Sequence, residues 1–145
     1  MKKDVVCVII ICFIFLTGCT KEKELVCTKD ISSNGISIIQ TNSIKFIGDK
    51  IDNMGSSVSI VLPDSYKVYS DTFVEKFKKQ YETMYGKYQH VKLITKKQSD
   101  KKINISIVLD YKNMTKQEKI DLNLLESGKY SDNRKSLEKQ GFNCK

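Results

Sequence analysis

The feature that most constrains the fold is a period-two alternation of apolar and polar residues that recurs along the chain. It is clearest at residues 103–111, where every second side chain is large and apolar. Successive side chains of a β-strand point to opposite faces, so this pattern predicts strands with one buried face. Five strands are predicted, at residues 25–31, 36–47, 50–62, 91–97 and 103–111.

Turn-forming residues separate these strands and connect them as hairpins. Ser-Ser-Asn-Gly at residues 32–35 and Gly-Asp at residues 48–49 are short turn signals between alternating segments. Pro63, the only proline, ends the third strand because it has no amide hydrogen to donate to a sheet. The first three strands are therefore expected to form a meander, and the last two a hairpin.

Helical spacing is clearest in residues 70–88. Apolar side chains recur there at intervals of three and four residues, which is typical of an amphipathic helix. The stripe consists of Phe73, Phe77, Tyr81, Met84, Tyr85 and Tyr88. Thr72 and Glu75 have the spacing of a capping box. Core packing is the expected role of the stripe, and a ligand-stacking platform made by its tyrosines is the alternative.

Two shorter helices are predicted after the last strand. The first covers residues 115–125 and begins with Thr115 and Glu118 at capping-box spacing. The second covers residues 131–140 and is expected to be capped by Ser131. A glycine directly after this helix is a stop signal.

The order of these elements predicts an α+β fold. Its sheet is expected to be mainly antiparallel, built from a three-strand meander, a helix and a two-strand hairpin, with the helices packed on one face. The other face would present Ser, Thr, Lys and Asn to solvent or to a partner. By length, residues 25–145 form a single domain.

The first 19 residues have the pattern of a bacterial lipoprotein signal. A basic start leads into an apolar run at residues 5–16, which is too short to cross a bilayer. The run ends in Leu-Thr-Gly-Cys at residues 16–19. We therefore predict a signal peptide at residues 1–18, removed on export, and a lipid on the Cys19 thiol. Residues 19–24 would form a tether to the outer face of the cytoplasmic membrane.

The chain is basic, with a formal net charge of +8. A basic surface beside a membrane attracts anionic lipid or an anionic wall polymer. Export argues against nucleic acid as the partner. Six lysines are the candidate contacts: Lys76, Lys79, Lys96, Lys97, Lys101 and Lys102. Their alternative role is to solvate the surface.

Chemical motifs for catalysis are sparse. The chain has a single histidine, His90, and lacks a glycine-rich phosphate loop and a nucleophile elbow. We expect no enzymatic activity, no metal and no cofactor. Of the five cysteines, two lie in the signal and one is the lipid site, which leaves Cys27 and Cys144. In an exported protein a disulfide between them is plausible, and two free buried thiols are the alternative.

The pieces in this order resemble the YehR-like family of small bacterial lipoproteins. The resemblance is carried by the motif at residues 16–19, the early meander, the tyrosine-bearing helix ending near residues 85–88, Asp-Tyr at residues 110–111, and the segment at residues 131–142 that closes in Gly-Phe. It covers essentially the whole mature chain. It implies an α+β envelope lipoprotein with no established activity and transfers no catalytic residue. The Cys27 and Cys144 pair is expected in one branch of such proteins.

The sequence therefore predicts a membrane-anchored surface lipoprotein. Its expected role is that of a non-catalytic binding or interaction module, using the exposed sheet face or the basic rim. The alternative is an envelope accessory or inhibitor protein that acts on a protein partner. A protruding apolar loop, at residues 64–69, would favour that alternative.

Overall fold

The computed structural model describes residues 21–124 and 128–145. The predicted signal peptide and the Cys19 lipid site lie outside the described residues, as does Leu125 at the end of a predicted helix. Within the described part of the chain, no helix is long and apolar enough to cross a membrane.

The described residues form an α+β fold around one antiparallel sheet. Its strands follow in spatial order β4-β5-β3-β2-β1-β6. They are β1 (Glu22–Asp30), β2 (Ser37–Ile47), β3 (Lys50–Val61), β4 (Val91–Lys97), β5 (Lys102–Leu109) and β6 (Asn143–Cys144). The general class agrees with the prediction, because each of the five alternating segments is a strand.

The strand layout differs from the prediction in its details. The meander and the hairpin join in one sheet, as expected, through a pairing that was not specified: β3 runs antiparallel to β5 from Met54 opposite Leu109 to Val61 opposite Lys102. A sixth strand, β6, was not predicted and pairs with β1, placing Cys144 opposite Cys27. A two-residue strand is too short to show an alternation.

Two strand boundaries differ from the prediction by more than one residue. β1 begins at Glu22, so three residues assigned to the tether belong to the sheet, opposite the end of β2. β5 ends at Leu109, two residues before the predicted end. Asp110 instead donates its amide hydrogen to the carbonyl oxygen of His90.

Four helical segments connect or follow the strands. They are a 3₁₀ helix (Asp64–Tyr69), α1 (Ser70–Tyr85), α2 (Lys116–Asp121) and α3 (Tyr130–Lys139). α1 ends three residues earlier than predicted. α2 is shorter than the predicted helix and does not include Leu122.

One of the three predicted helix caps is confirmed. The Thr115 hydroxyl accepts from the Glu118 amide at 3.1 Å, and the Glu118 carboxylate accepts from the Thr115 amide at 2.8 Å. The predicted box of Thr72 and Glu75 is wrong, because α1 already begins at Ser70 and its N-cap, Tyr69, makes no side-chain cap. The predicted Ser131 cap is also wrong, because α3 begins at Tyr130.

Helices α1 and α3 pack on the same face of the sheet. Phe73, Val74 and Phe77 of α1 lie against a cluster built on Ile60, Leu62, Ile103 and Ile105. A second cluster is built on Leu25, Ile44, Phe46 and Ile51. Leu137 of α3 is part of this cluster, and Tyr130 of the same helix packs against it. Paired residues across the strands lie on the same side of a sheet, and the registers place both clusters on one side. The core is therefore divided into two parts along the sheet.

The structure joins Cys27 and Cys144 in a disulfide, 117 residues apart in sequence. Both sulfurs lie in the second cluster, beside Phe142. Gly141 has a φ of +85°, which allows the chain to reverse after α3 and return along β1. The bridge therefore fastens the end of the chain to the first strand.

The capping box of α2 predicts a pH-dependent contribution to stability. The backbone amide of Thr115, together with His90, holds the pKa of Glu118 below its ordinary value of 4.5. The stabilisation is therefore complete above about pH 4.5 and is lost as the pH falls through the lowered pKa. Glu118→Gln keeps the amide-to-oxygen cap and removes the titration. We expect the urea midpoint of this variant to fall less steeply on acidification than that of the wild type; parallel curves would contradict the role of Glu118.

Candidate functional site: an apolar groove between the helices

The helix-covered face of the sheet carries polar residues at its centre. Along β2, Gln40 and Asn42 lie between the apolar residues Ile38 and Ile44 on the same face. Asn42 is opposite Ser56 of β3, which is opposite Ile107 of β5. This polar row separates the two hydrophobic clusters. The apolar core on this face is therefore interrupted between α1 and α3.

A groove lies above this row, and we call it the inter-helix groove. Its larger part is a cavity of about 320 Å³ between α1, the chain following α2, and α3. A smaller part of about 150 Å³ adjoins it under α1. The two parts share Ser56, Tyr85 and Ile107. The main apolar residues of the larger part are Ile44, Met54, Tyr85, Ile107, Leu109, Leu122, Leu124 and Leu137.

The tyrosines of α1 form one wall of this groove. The Tyr81 and Tyr85 rings lie with their centroids 5.4 Å apart. The Tyr81 hydroxyl donates to the carbonyl oxygen of Val91 at 2.9 Å, which holds α1 against β4. Burial raises the pKa of Tyr81, so its hydroxyl is a donor throughout the physiological range. Tyr81 is thus tied to the scaffold, whereas Tyr85 lies at the junction of the two cavities.

Asn133 of α3 closes the groove opposite the tyrosines. Its side chain is 1% exposed, and its amide nitrogen donates to the Lys129 carbonyl oxygen at 2.9 Å. Together with Asn42, Ser43 and Ser56 it is one of the few polar residues that line a mainly apolar cavity. Cavities of this size with a few placed polar groups are typical of small-molecule sites. The arrangement can bind and orient an amphipathic molecule.

The six lysines proposed as anionic contacts are distributed over three locations. Lys96 and Lys102 lie on the helix-free face of the sheet. Lys97 pairs with Asp71 at 2.8 Å and with Asp100 at 3.0 Å, and Lys101 pairs with Asp64. Lys76 and Lys79 lie on α1. The structure does not bring them together in one patch, so contact with anionic lipid or wall polymer stays a prediction.

The helix-free face presents the small polar residues that the alternation predicts. One row across it consists of Ser106, Ser57, Thr41 and Thr28, which are paired from β5 to β1. Two other cavities of the described residues are larger, at about 510 Å³ beside Lys50, Asp52 and Lys112 and about 400 Å³ at the turn of residues 32–37, but most of the residues that line each of them are polar or charged. The inter-helix groove has a mainly apolar lining. The groove is therefore the better candidate site.

Sequence reasoning missed the groove, although one signal was available. Every second residue of β2 faces the core, and Gln40 and Asn42 occupy two of these positions, between Ile38 and Ile44. Polar residues at core-facing positions are uncommon without a partner or a function. The separation of α1 and α3 over this row depends on tertiary packing, and no local pattern encodes it.

His90 lies beside the carboxylate of Glu118. His90 Nδ1 lies 3.1 Å from a Glu118 carboxylate oxygen, at the start of β4. Over residues 21–124 and 128–145, no group of three or more His, Cys, Asp or Glu side chains is placed to hold a metal ion.

Comparison with known proteins supports the fold. No family model matches the chain, and no curated protein matches it. The structure is similar to an NMR structure of a protein from Streptococcus pneumoniae TIGR4, with a TM-score of 0.59 and 16% sequence identity. The match covers 86% of each chain. At this identity the likeness concerns the α+β fold alone.

Proposed function

We propose that this protein is a membrane-anchored bacterial surface lipoprotein, similar to the YehR-like family, that acts as a non-catalytic binding module. A lipid on Cys19 anchors it at the outer face of the cytoplasmic membrane, and the inter-helix groove holds its ligand. The observation that carries the proposal is the groove: a cavity of about 320 Å³ with apolar walls and a polar floor.

The groove lining indicates the chemistry of the ligand. An apolar body in contact with Ile107, Leu109 and Leu137 would remove its surface and theirs from water. Asn42 and Ser56 supply donors and acceptors beneath it, so a ligand with a polar group would satisfy them better than a pure hydrocarbon. The lining contains no charged side chain. We therefore propose a small, amphipathic ligand.

Filling the groove tests this proposal. Ser56→Leu places a branched apolar side chain at the junction of the two cavities. With decanoate as an amphipathic probe, we expect the methyl resonances of Ile107, Leu109 and Leu137 to shift in the wild type. In the variant the affinity should fall by about tenfold or more, equivalent to about 1.4 kcal/mol or more.

The matched control is the neighbouring serine. Ser57→Leu makes the same chemical change one residue along β3, on the helix-free face. It should leave decanoate binding unchanged. Equal loss of binding in the two variants would show that the probe does not occupy the groove, and unshifted methyl resonances in the wild type would argue against a groove ligand of this class.

A second candidate function is supported by a different feature. The segment at residues 64–69 exposes large apolar side chains at one end of the sheet. An envelope accessory or inhibitor protein would use such a surface to contact a protein partner. The segment at residues 64–69 and the groove have no residue in common, so one protein could have both functions.

A further inference from the structure

Three apolar side chains project from the 3₁₀ helix. Tyr66 is 45% exposed, Val68 72% and Tyr69 53%. We call this cluster, with the cleft beside it, the apolar tip. Exposed clusters of this kind are uncommon on soluble surfaces unless they bind something.

The apolar tip is held in place by the surrounding fold. The Tyr66 amide donates to the Pro63 carbonyl oxygen at 2.9 Å, closing the first turn. Asp64 pairs with Lys101 of the β4–β5 turn, and Ser70, where α1 begins, is 1% exposed. A surface that is already ordered loses little conformational entropy on binding. The tip is therefore preorganised for contact.

The cleft of the apolar tip has a distinctive chemistry. The Tyr66 and Tyr69 rings, with centroids 6.4 Å apart, border a cavity of about 220 Å³. Thr72, Phe73 and Lys76 complete its lining, so the only charged group in it is an ammonium. The nearby acids Asp64 and Asp71 are already paired with Lys101 and Lys97. Among residues 21–124 and 128–145 no carboxylate forms an ion pair with Lys76, so the cleft combines aromatic walls with a positive charge.

The position of the apolar tip favours a partner away from the membrane. Lys21, where the described chain begins, accepts a hydrogen bond from Gly48 in the β2–β3 turn. The tip follows the other end of β3, which is 12 residues long. At about 3.3 Å per residue, the two ends lie roughly 35–40 Å apart. With the anchor at Cys19, the tip would lie at the end of the sheet opposite the point of attachment to the membrane.

We propose that the apolar tip is a docking site for a protein partner whose contact surface places a carboxylate beside an apolar side chain. The carboxylate pairs with Lys76, and the apolar side chain enters the cleft and packs against the two tyrosine rings. Aromatic residues in a preformed cleft are typical centres of binding energy in protein interfaces. The position of the apolar tip relative to the membrane rests on the proposed lipid anchor, whereas the chemistry of the cleft is independent of the anchor.

Site-specific photo-crosslinking in native membranes tests this proposal. The full-length protein carries p-benzoylphenylalanine in place of Val68, or in place of Ile120 as a control of comparable exposure, 54%. We expect one discrete protein adduct from position 68 and not from position 120, with the crosslinked peptide containing an acidic residue beside an apolar one. Lys76→Glu should reduce its yield about tenfold or more.

The matched charge control is Lys79→Glu, one turn along α1 and outside the cleft. It should leave the adduct unchanged. Crosslinks only to lipid or wall polymer, the absence of an adduct, or a protein adduct that is indifferent to Lys76→Glu would each overturn the proposal. Decanoate binding in the groove is a separate measurement, so failure here and failure of the groove function are distinguishable.

Discussion

Replacing Cys27 and Cys144 together with alanine is expected to lower the free energy of unfolding by about 4–5 kcal/mol. The bridge closes a loop of 117 residues, and in the chain-entropy model such a cross-link removes much of the freedom of the unfolded chain. Loss of the bridge would also release β6, which pairs with β1, and Phe142, which packs in the same hydrophobic cluster as the two cysteines. The effect is a large fraction of the stability of a domain of this size.

Urea unfolding with and without reductant measures this effect. Dithiothreitol should shift the wild-type midpoint down to that of the double variant and leave the variant unchanged. The bridge would contribute nothing to stability if reductant left the wild-type urea midpoint unchanged and the double variant had the same midpoint as the wild type.

Cys19→Ala is expected to move the protein out of the membrane fraction or leave it unprocessed. Cys19 is the predicted acceptor of a diacylglyceryl group, which carries two acyl chains. Each buried methylene adds about 0.8 kcal/mol of membrane affinity, so loss of this group removes the anchor. Fractionation followed by intact-mass analysis measures both the location and the processing of the chain.

The adjacent residue provides the control for this substitution. Thr20→Ala leaves the thiol intact and should remain membrane-bound with the mass of the lipidated chain. Recovery of Cys19→Ala with lipid in the same processed form as the wild type would contradict the assignment of Cys19.

Local patterns predicted the strands well because burial on one face imposes a strict period. β6 escaped prediction because its two residues are positioned by a disulfide and by the turn at Gly141. Thr115 caps a helix that begins directly after it, whereas Thr72 lies inside α1 because the preceding 3₁₀ helix leads directly into it. The same spacing therefore had different outcomes in different tertiary contexts.

The candidate site was less predictable than the strands. Lys96 and Lys97 are adjacent in sequence, but the pleat of β4 places them on opposite faces of the sheet. Lys97 also forms an ion pair with Asp71. The lysine cluster seen in the sequence is consequently divided in the structure. The groove depends on the distance between α1 and α3, which packing sets. Its local trace is a set of polar residues at core-facing positions, Gln40 and Asn42 in β2 and Ser56 in β3.

Native mass spectrometry of the protein purified from its own membranes tests the central claim most directly. The binding-module proposal predicts a chain that begins at Cys19, carries a lipid, and retains one additional small amphipathic molecule. Ser56→Leu should lose that additional mass, and Ser57→Leu should keep it. A lipidated wild-type chain with nothing further bound would contradict a resident groove ligand.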